Sequence, residues 1–454
     1  MRGTAITTGR QTNFLSVRFL TAGPVTSGGR IRRALPCSDF RTFRCPYIKL
    51  DLMGTLRLAA VLLVLVRASL YADTAAVLPF ANRTSAADPA QASLDWIGES
   101  IAETVRDAIG SRGAVTPSRV ETEDAYRQLN LRPLSILTEA SMLKIGEALD
   151  AEQVIYGSFE FLADPAAAHG IADGSLKITA RIFDRRRFKQ SSEFIESGNL
   201  EDLPSLEAHL AWRALVLLTP RLAPPEADFR SLRPPVRLDA EENYVRGLLA
   251  RSPEQQERFF LQAAHLDARF GHPDYELGRL HYERKEYRQA ADWLQKIAPE
   301  DVHYREASFL LGLALFQSGD FVGSQKAFQT VADVVPLSEV YNDLGAAQNR
   351  RGLPQAVDSF RKALDGDPND PVYIFNLGYA LWKKGDFAAA ADRFRAVLDR
   401  QPDDDVATLM LGLSLKKQNT RLSDARLETL ERLKNNYEER AYLQLKALVN
   451  PGKP

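Results

Sequence analysis

Six histidines, a run of three aspartates and a scatter of other carboxylates are the side chains of this 454-residue chain that could do chemistry. His169, His209, His265, His272, His281 and His303 show no tight ligand spacing of the H-x-x-x-H kind, so they read as solvated or packing side chains. Asp403, Asp404 and Asp405 follow Pro402 and fit the start of a helix, where acids suit the dipole, better than a calcium loop. Glu160, Asp184 and Glu193 could pair, but they fall on exposed strand faces with no nucleophile beside them. No phosphate loop, paired cysteine or Gly-x-Ser-x-Gly turn occurs. Asn82-Arg83-Thr84 fits a glycosylation sequon and also a polar loop, and the loop is the reading adopted. The sequence therefore predicts no catalytic residue, no metal and no cofactor.

What repeats is glycine. Gly278, Gly312, Gly345, Gly378 and Gly412 recur at spacings of 34, 33, 33 and 34, each inside a helical pattern that is followed by a second one. That period with helix–turn–helix content is the mark of tetratricopeptide repeats. Leu377-Gly378, Ala390, Phe394 and Pro402 hold the packing and stop positions of the clearest unit, and "KGDF", "SGDF" and "RGLP" mark helix joints. About five repeats are expected over residues 239–420, with closing helices and a tail over 421–454.

Residues three before, one after and four after each glycine share one helix face, the face that lines the concave groove of such a superhelix. Tyr275, Arg279, Tyr282, Phe309, Phe316, Asn342, Asn349, Phe375, Tyr379 and Trp382 stand there, an unusually aromatic set. An exposed apolar strip of this kind predicts a protein or peptide segment as partner. Phe375, Tyr379 and Trp382 are expected to face away from the packed side of their helix. The Lys/Asn set that some repeat proteins use to clamp a terminal carboxylate is absent, so a free C-terminus is not the expected ligand.

Upstream, Ile97, Ile101, Val105 and Ile109 recur every four residues, which predicts a helix over about 95–110 with one buried stripe. "SLKITARIFD" alternates as a half-buried strand does. Strands are also expected at 74–80, at 114–120 and in "QVIYGSFEFL", with helices over about 136–149 and 203–218. The fold class is thus an α/β amino-terminal layer domain (73–218) followed by an all-α repeat solenoid. "AVLPFANRT…LDWIGESIAETVRDAI" and "IGEALDAEQVIYGSFEF…LKITARIFD" resemble the TolB amino-terminal-like domains, related to the FlgO and CsgG-type domains of bacterial envelopes. The resemblance covers about 75–218. It implies a non-catalytic interaction domain of an exported or membrane-associated protein, with an envelope or outer-membrane component as a partner.

Charge and cysteine usage divide the chain further. Residues 1–52 carry nine bases and two acids, a net of +7, whereas the chain from Asp73 onward has a net of −10. The overall −1 predicts no strong electrostatic pull toward nucleic acid or an anionic membrane. Cys37 and Cys45 both lie in the basic leader. The apolar run Leu58–Val66, closed by Arg67, is shorter than a membrane span and fits a signal peptide over 53–72. The expected start is then Met53, with 1–52 an upstream extension and the mature protein exported to the periplasm or envelope; a genuine leader, Arg-, Ser- and Thr-rich like an organelle transit peptide, and a membrane anchor over 56–71 are the alternatives. Five prolines in residues 219–238 predict an extended linker between separately folding regions. The leading functional expectation is an exported, non-enzymatic scaffold. A cytoplasmic regulatory adaptor and an enzyme with an unrecognised site in the α/β region are the alternatives.

Overall fold

The computed structural model describes residues 74–84, 94–111, 114–132, 135–162, 174–220, 223–418, 427 and 429–449. The basic leader, the signal-like run, both cysteines and His169 lie outside the described residues. Among the described residues no helix is long and apolar enough to cross a membrane.

One mixed six-stranded sheet organises the amino-terminal part. β1 (Ala75–Val77) and β2 (Ala81–Asn82) pair parallel with successive parts of the long β3 (Gln153–Leu162). β3 pairs antiparallel with β4 (Ser175–Asp184) along its whole length, from Gln153↔Asp184 to Leu162↔Ser175. β5 (Lys189–Gln190) and β6 (Phe194–Asn199) pair with opposite ends of β4. The alternation in β4 is realised: Leu176, Ile178, Ala180 and Ile182 are buried while Lys177 is exposed. They share a core with the Ile97–Ile109 stripe of α1 (Trp96–Gly110). Within β3, a Cβ on Gly157 would meet the Thr179 carbonyl at 2.2 Å and the Phe80 ring at 2.3 Å, so the close approach there needs glycine.

The strand expected over 114–120 is corrected. Val115 makes a single bridge to Thr74, and α2 (Arg119–Gln128) begins four residues on. Ser118 and Glu121 form a reciprocal capping box that starts the helix at that point. α3 (Glu139–Ala148) packs Met142 and Ile145 against Leu78, Val154 and Phe183. The Asn82-Arg83-Thr84 segment is a turn: Asn82 accepts from the Thr84 amide at 3.0 Å, and the buried Thr84 hydroxyl accepts from the Phe161 amide at 3.1 Å.

The proline-rich stretch is also corrected. It holds a short helix, α5 (Glu226–Ser231), after α4 (Leu203–Leu218), and Phe229 on it is fully buried. The Trp212 indole donates to the Pro224 carbonyl at 3.0 Å. The core under the sheet continues through Phe229 into Tyr244, Phe260 and Leu277 of the following helices. Proline fixes the local backbone here, and buried aromatic area decides where the chain goes.

Five helical hairpins follow: α6 (Leu238–Leu249) with α7 (Pro253–Leu266), α8 (Gly271–Glu283) with α9 (Tyr287–Leu294), α10 (Tyr304–Ser318) with α11 (Phe321–Ala332), α12 (Ser338–Arg350) with α13 (Ala356–Gly366), and α14 (Pro371–Lys384) with α15 (Phe387–Leu398). A further first-type helix, α16 (Asp405–Leu415), closes the array. Glycine holds each first helix against its second: a Cβ on Gly312 would lie 2.6 Å from the Phe328 ring, and one on Gly345 2.8 Å from the Phe360 ring.

The closing region differs from expectation. Residues 429–438 are neither helix nor strand, and one helix follows, α17 (Glu439–Val449).

Candidate functional site

The concave face of the repeats holds a segment of the chain itself. Tyr437 stacks on Phe309 of α10, with ring centroids 5.2 Å apart, while Arg432, five residues earlier, reaches Asp404 at the start of α16. Crossing three repeats in so few residues requires extended chain, because a helix rises only ~1.5 Å per residue. The segment runs opposite to the order of the repeats.

Its backbone is gripped at four residues. Asn342 and Asn376 both donate to the Arg432 carbonyl, at 2.9 and 2.7 Å, and the Asn376 side-chain oxygen accepts from the Arg432 amide at 2.9 Å. Asp343 accepts from the Lys434 amide at 3.0 Å, and Glu339 accepts from the Glu438 amide at 2.8 Å. Further along, Tyr379 donates its hydroxyl to the Leu427 carbonyl. A helix would satisfy these amides internally; here the groove does so.

The side chains are matched as well. Arg432 makes a bidentate pair with Asp404, at 2.7 and 2.9 Å, and lies 3.6 Å from the Phe375 ring centroid. Lys434 pairs with Asp370 at 2.5 Å. Glu431, whose side chain is 0% exposed, meets Arg350 at 2.8 Å and the Asn349 amide at 2.7 Å. The Arg432 hydrogen bonds hold the Asp404 carboxyl below its usual range. Burial pushes Asp343 well up, and it raises Glu431 against the opposing charges of Arg350 and Lys383.

The predicted groove residues divide in two. Tyr282 reaches the segment by donating to Asn435 at 3.0 Å, and Phe309, Asn342, Asn349, Phe375 and Tyr379 touch it as described. Phe316 stands behind it, edge-on to Phe321 and under the Arg350 guanidinium. Trp382 donates to the Gln418 carbonyl at 3.2 Å. Tyr275 instead stacks on His303 at 4.6 Å, and Arg279 is spent on Glu276 and Glu283 of its own helix. The expectation of an open aromatic strip is corrected: Phe375, Tyr379 and Trp382 are fully buried. They do stack in succession, at 6.5 and 6.1 Å, but Phe375 also meets Phe394 edge-on in the hairpin core.

Sequence reasoning missed Asn376, Asp343, Asp370 and Asp404. A signal existed: Asp370 and Asp404 stand one repeat apart, as do Asn342 and Asn376. Asp404 was legible as a helix start, and it does cap α16 by accepting from the Ala407 amide at 2.9 Å.

Comparison with known families decides what the array is. The family model described as tetratricopeptide repeat matches residues 275–333, 309–371 and 375–441. The chain carries tetratricopeptide repeats. Among solved structures, YrrB, titled a TPR protein with an unusual peptide-binding site, is 22% identical, with 40% of this chain and 93% of that chain covered and a TM-score of 0.36. A MamA RS-1 double mutant is 25% identical over 37% of this chain and 96% of that one, at a TM-score of 0.33. MamA from Desulfovibrio magneticus RS-1 is 23% identical over 37% and 95%, at a TM-score of 0.33. No curated protein matches the chain.

Outside the groove, two of the three carboxylates considered for catalysis have neighbouring groups within reach, and the third, Glu160, is exposed. Glu193 pairs with Arg181, Glu160 stands opposite Lys177 in the β3–β4 register, and Asp184 accepts from the Arg187 amide at 2.9 Å. Two histidines do converge, which their spacing hid. His272 Nε2 lies 2.7 Å from Asp107 Oδ2, and the His303 ring lies 4.9 Å from that of His272. Donor atoms of the three lie within 4.8 Å of one another, close enough to share a cation. Burial opposes the His272 charge, but the Asp107 hydrogen bond and the charges of Asp107, Asp301 and Glu103 overcome it and push its pKa up to about 9. The His272–Asp107 contact ties α1 to the first repeats.

Proposed function

We propose that this chain is a non-catalytic scaffold whose repeat groove holds an extended segment of a partner protein. The observation that carries the reading is the double asparagine grip on both backbone groups of Arg432. Side chains that pair with main-chain N–H and C=O recognise extended peptide as such, and the flanking charges add sequence preference. Tetratricopeptide repeats serve as protein-interaction scaffolds, which agrees with this use of the groove. The test is an array of extended peptides probed with the full chain. Capture that Asn342→Ala and Asn376→Ala both weaken tenfold or more is the expected result; capture indifferent to both overturns the groove reading.

Export and docking of the sheet-containing region to an envelope component belong to the same reading. The signal-like run at 53–72, the lack of cysteine from Asp73 on, and the TolB-like motifs of 75–218 support it. Expressed in a bacterial host, the protein should reach the periplasm with its amino terminus near Asp73. Peptides containing Cys37 or Cys45 in the purified mature protein would overturn this.

A further inference from the structure

We propose that Leu427 and residues 429–438 are a built-in occupant of the groove, and that the partner is a protein segment of the same chemistry which binds by displacing it. That chemistry is an acid, an arginine, an apolar residue and a lysine in succession, with an aromatic three positions on. The proposal rests on the scaffold reading above and adds what the partner must look like and what it must compete with.

Three observations carry it. The pairing is specific in register: Glu431, Arg432 and Lys434 each meet an oppositely charged residue on the groove wall, Arg350, Asp404 and Asp370 respectively. Shifting the segment by one residue would set Arg432 against Arg350, so the wall selects a charge order as well as an extended backbone. The covered surface is of the kind that soluble proteins do not leave open, with Phe309, Phe375 and Tyr379 fully or almost fully buried. The segment is also a poor fit to its own local preference. Leu430, Leu433 and Tyr437 recur at helical spacing, yet residues 429–438 are neither helix nor strand. Burial of Glu431 and Asp343 adds an electrostatic cost to the occupied state, which release relieves. A tethered occupant of this kind lowers the apparent affinity for a free ligand by the fraction of time the groove is open.

The experiment uses the full chain and a fluorescein-labelled peptide of residues 427–438, read by fluorescence polarisation. A Glu431→Ala/Arg432→Ala/Lys434→Ala chain, whose groove wall is intact, should bind the peptide at least tenfold more tightly than the wild type. A peptide carrying the same three alanines should not bind. Equal affinity for the two chains overturns the proposal. If the opened chain ignores this peptide but takes others from the extended-peptide array, the occupant idea fails while the scaffold reading stands; if it takes none, both fail. A wild-type dimer that dissociates in the triple variant would place the segment in a second copy and also overturn it. Hydrogen exchange on the wild type alone gives a check independent of the variant's folding. The Arg432, Lys434 and Glu438 amides should be protected and should lose protection when unlabelled peptide is added in excess. Fast exchange at all three without peptide overturns the proposal.

Discussion

Asn342 and Asn376 occupy neighbouring first helices, 34 residues apart, and hydrogen-bond to each other at 2.8 Å while both hold the Arg432 carbonyl. The two amides thus form one fork, and each fixes the orientation of the other. Removing Asn376 leaves the Arg432 amide without its acceptor and the carbonyl with Asn342 alone, which costs about 1–3 kcal/mol. Asn376→Ala should therefore lower the melting temperature and speed tryptic cleavage after Arg432 and Lys434. Unchanged cleavage in that variant would show that the segment is held by its side chains alone.

Asp404 gives an acid dependence with a definite sign. Its carboxyl is held below its ordinary value by the Arg432 hydrogen bonds. Its contribution to stability is present above the unfolded carboxylate pKa of about 3.9 and is lost as the pH falls through the lower folded value. Denaturant midpoints of the wild type should fall below about pH 4. Arg432→Ala should remove that part of the fall. An identical acid limb in the variant would assign the loss to other carboxylates.

The aromatic strip shows where sequence reading stopped. The glycine period placed Phe375, Tyr379 and Trp382 on one helix face, and they stack there. Periodicity could not reveal that residues some fifty positions downstream would cover them. The leucine spacing of that segment argues locally for helix, and only the repeat wall overrides it. The same limit explains why His272, His303 and Asp107 were unreadable as a group, since 165 residues separate His272 from Asp107. The strand alternation of β4 and the glycine period were legible because each is a pattern carried within the sequence itself. Trp382 is consequently a core residue. Trp382→Ala should cost about 3–5 kcal/mol, comparable to Phe394→Ala, in thermal or denaturant unfolding. A loss under 1 kcal/mol would return Trp382 to the surface.

His272 should make the junction between α1 and the repeats sensitive to alkali. Its pKa rises from about 6.5 unfolded to about 9 folded, facing Asp107, Asp301, Glu103, His303 and the Tyr244 ring. For a base with a raised pKa, the stabilisation is complete below the unfolded value and disappears as the pH rises through the folded one. The stability difference between wild type and His272→Gln should be full at pH 6 and should vanish above about pH 9. A difference independent of pH would mean that the ring acts by packing. Glu207 adds to the same trend. Burial first, then Glu241 beside it, pushes its pKa well up, so ionising it at high pH disfavours the fold. Glu207→Gln should raise stability at pH 8 more than at pH 5.

The last prediction concerns cooperativity across the proline-rich stretch. Separate folding was expected from five prolines, but the buried surface argues otherwise. Phe229 is fully enclosed, with the Arg233 guanidinium 4.8 Å from its ring centroid, and Arg233 also reaches the Asp107 carbonyl at 3.3 Å and the Ser111 hydroxyl at 2.8 Å. The Ser100 hydroxyl on α1 lies within hydrogen-bond reach of both Glu207 on α4 and Glu241 on α6, at 3.2 and 3.1 Å, and shares its one proton between them. These contacts tie the sheet to the first hairpin through one core. Residues 74–266 should therefore unfold in a single transition, followed by calorimetry or by paired fluorescent labels in the sheet and in α7. Phe229→Ala removes the central ring of that junction and should cost about 3–5 kcal/mol, acting on both sides at once. If the variant lowers the melting of the sheet region alone, or if wild-type proteolysis cuts first between Pro225 and Arg237, the regions are independent and the shared core is not cooperative.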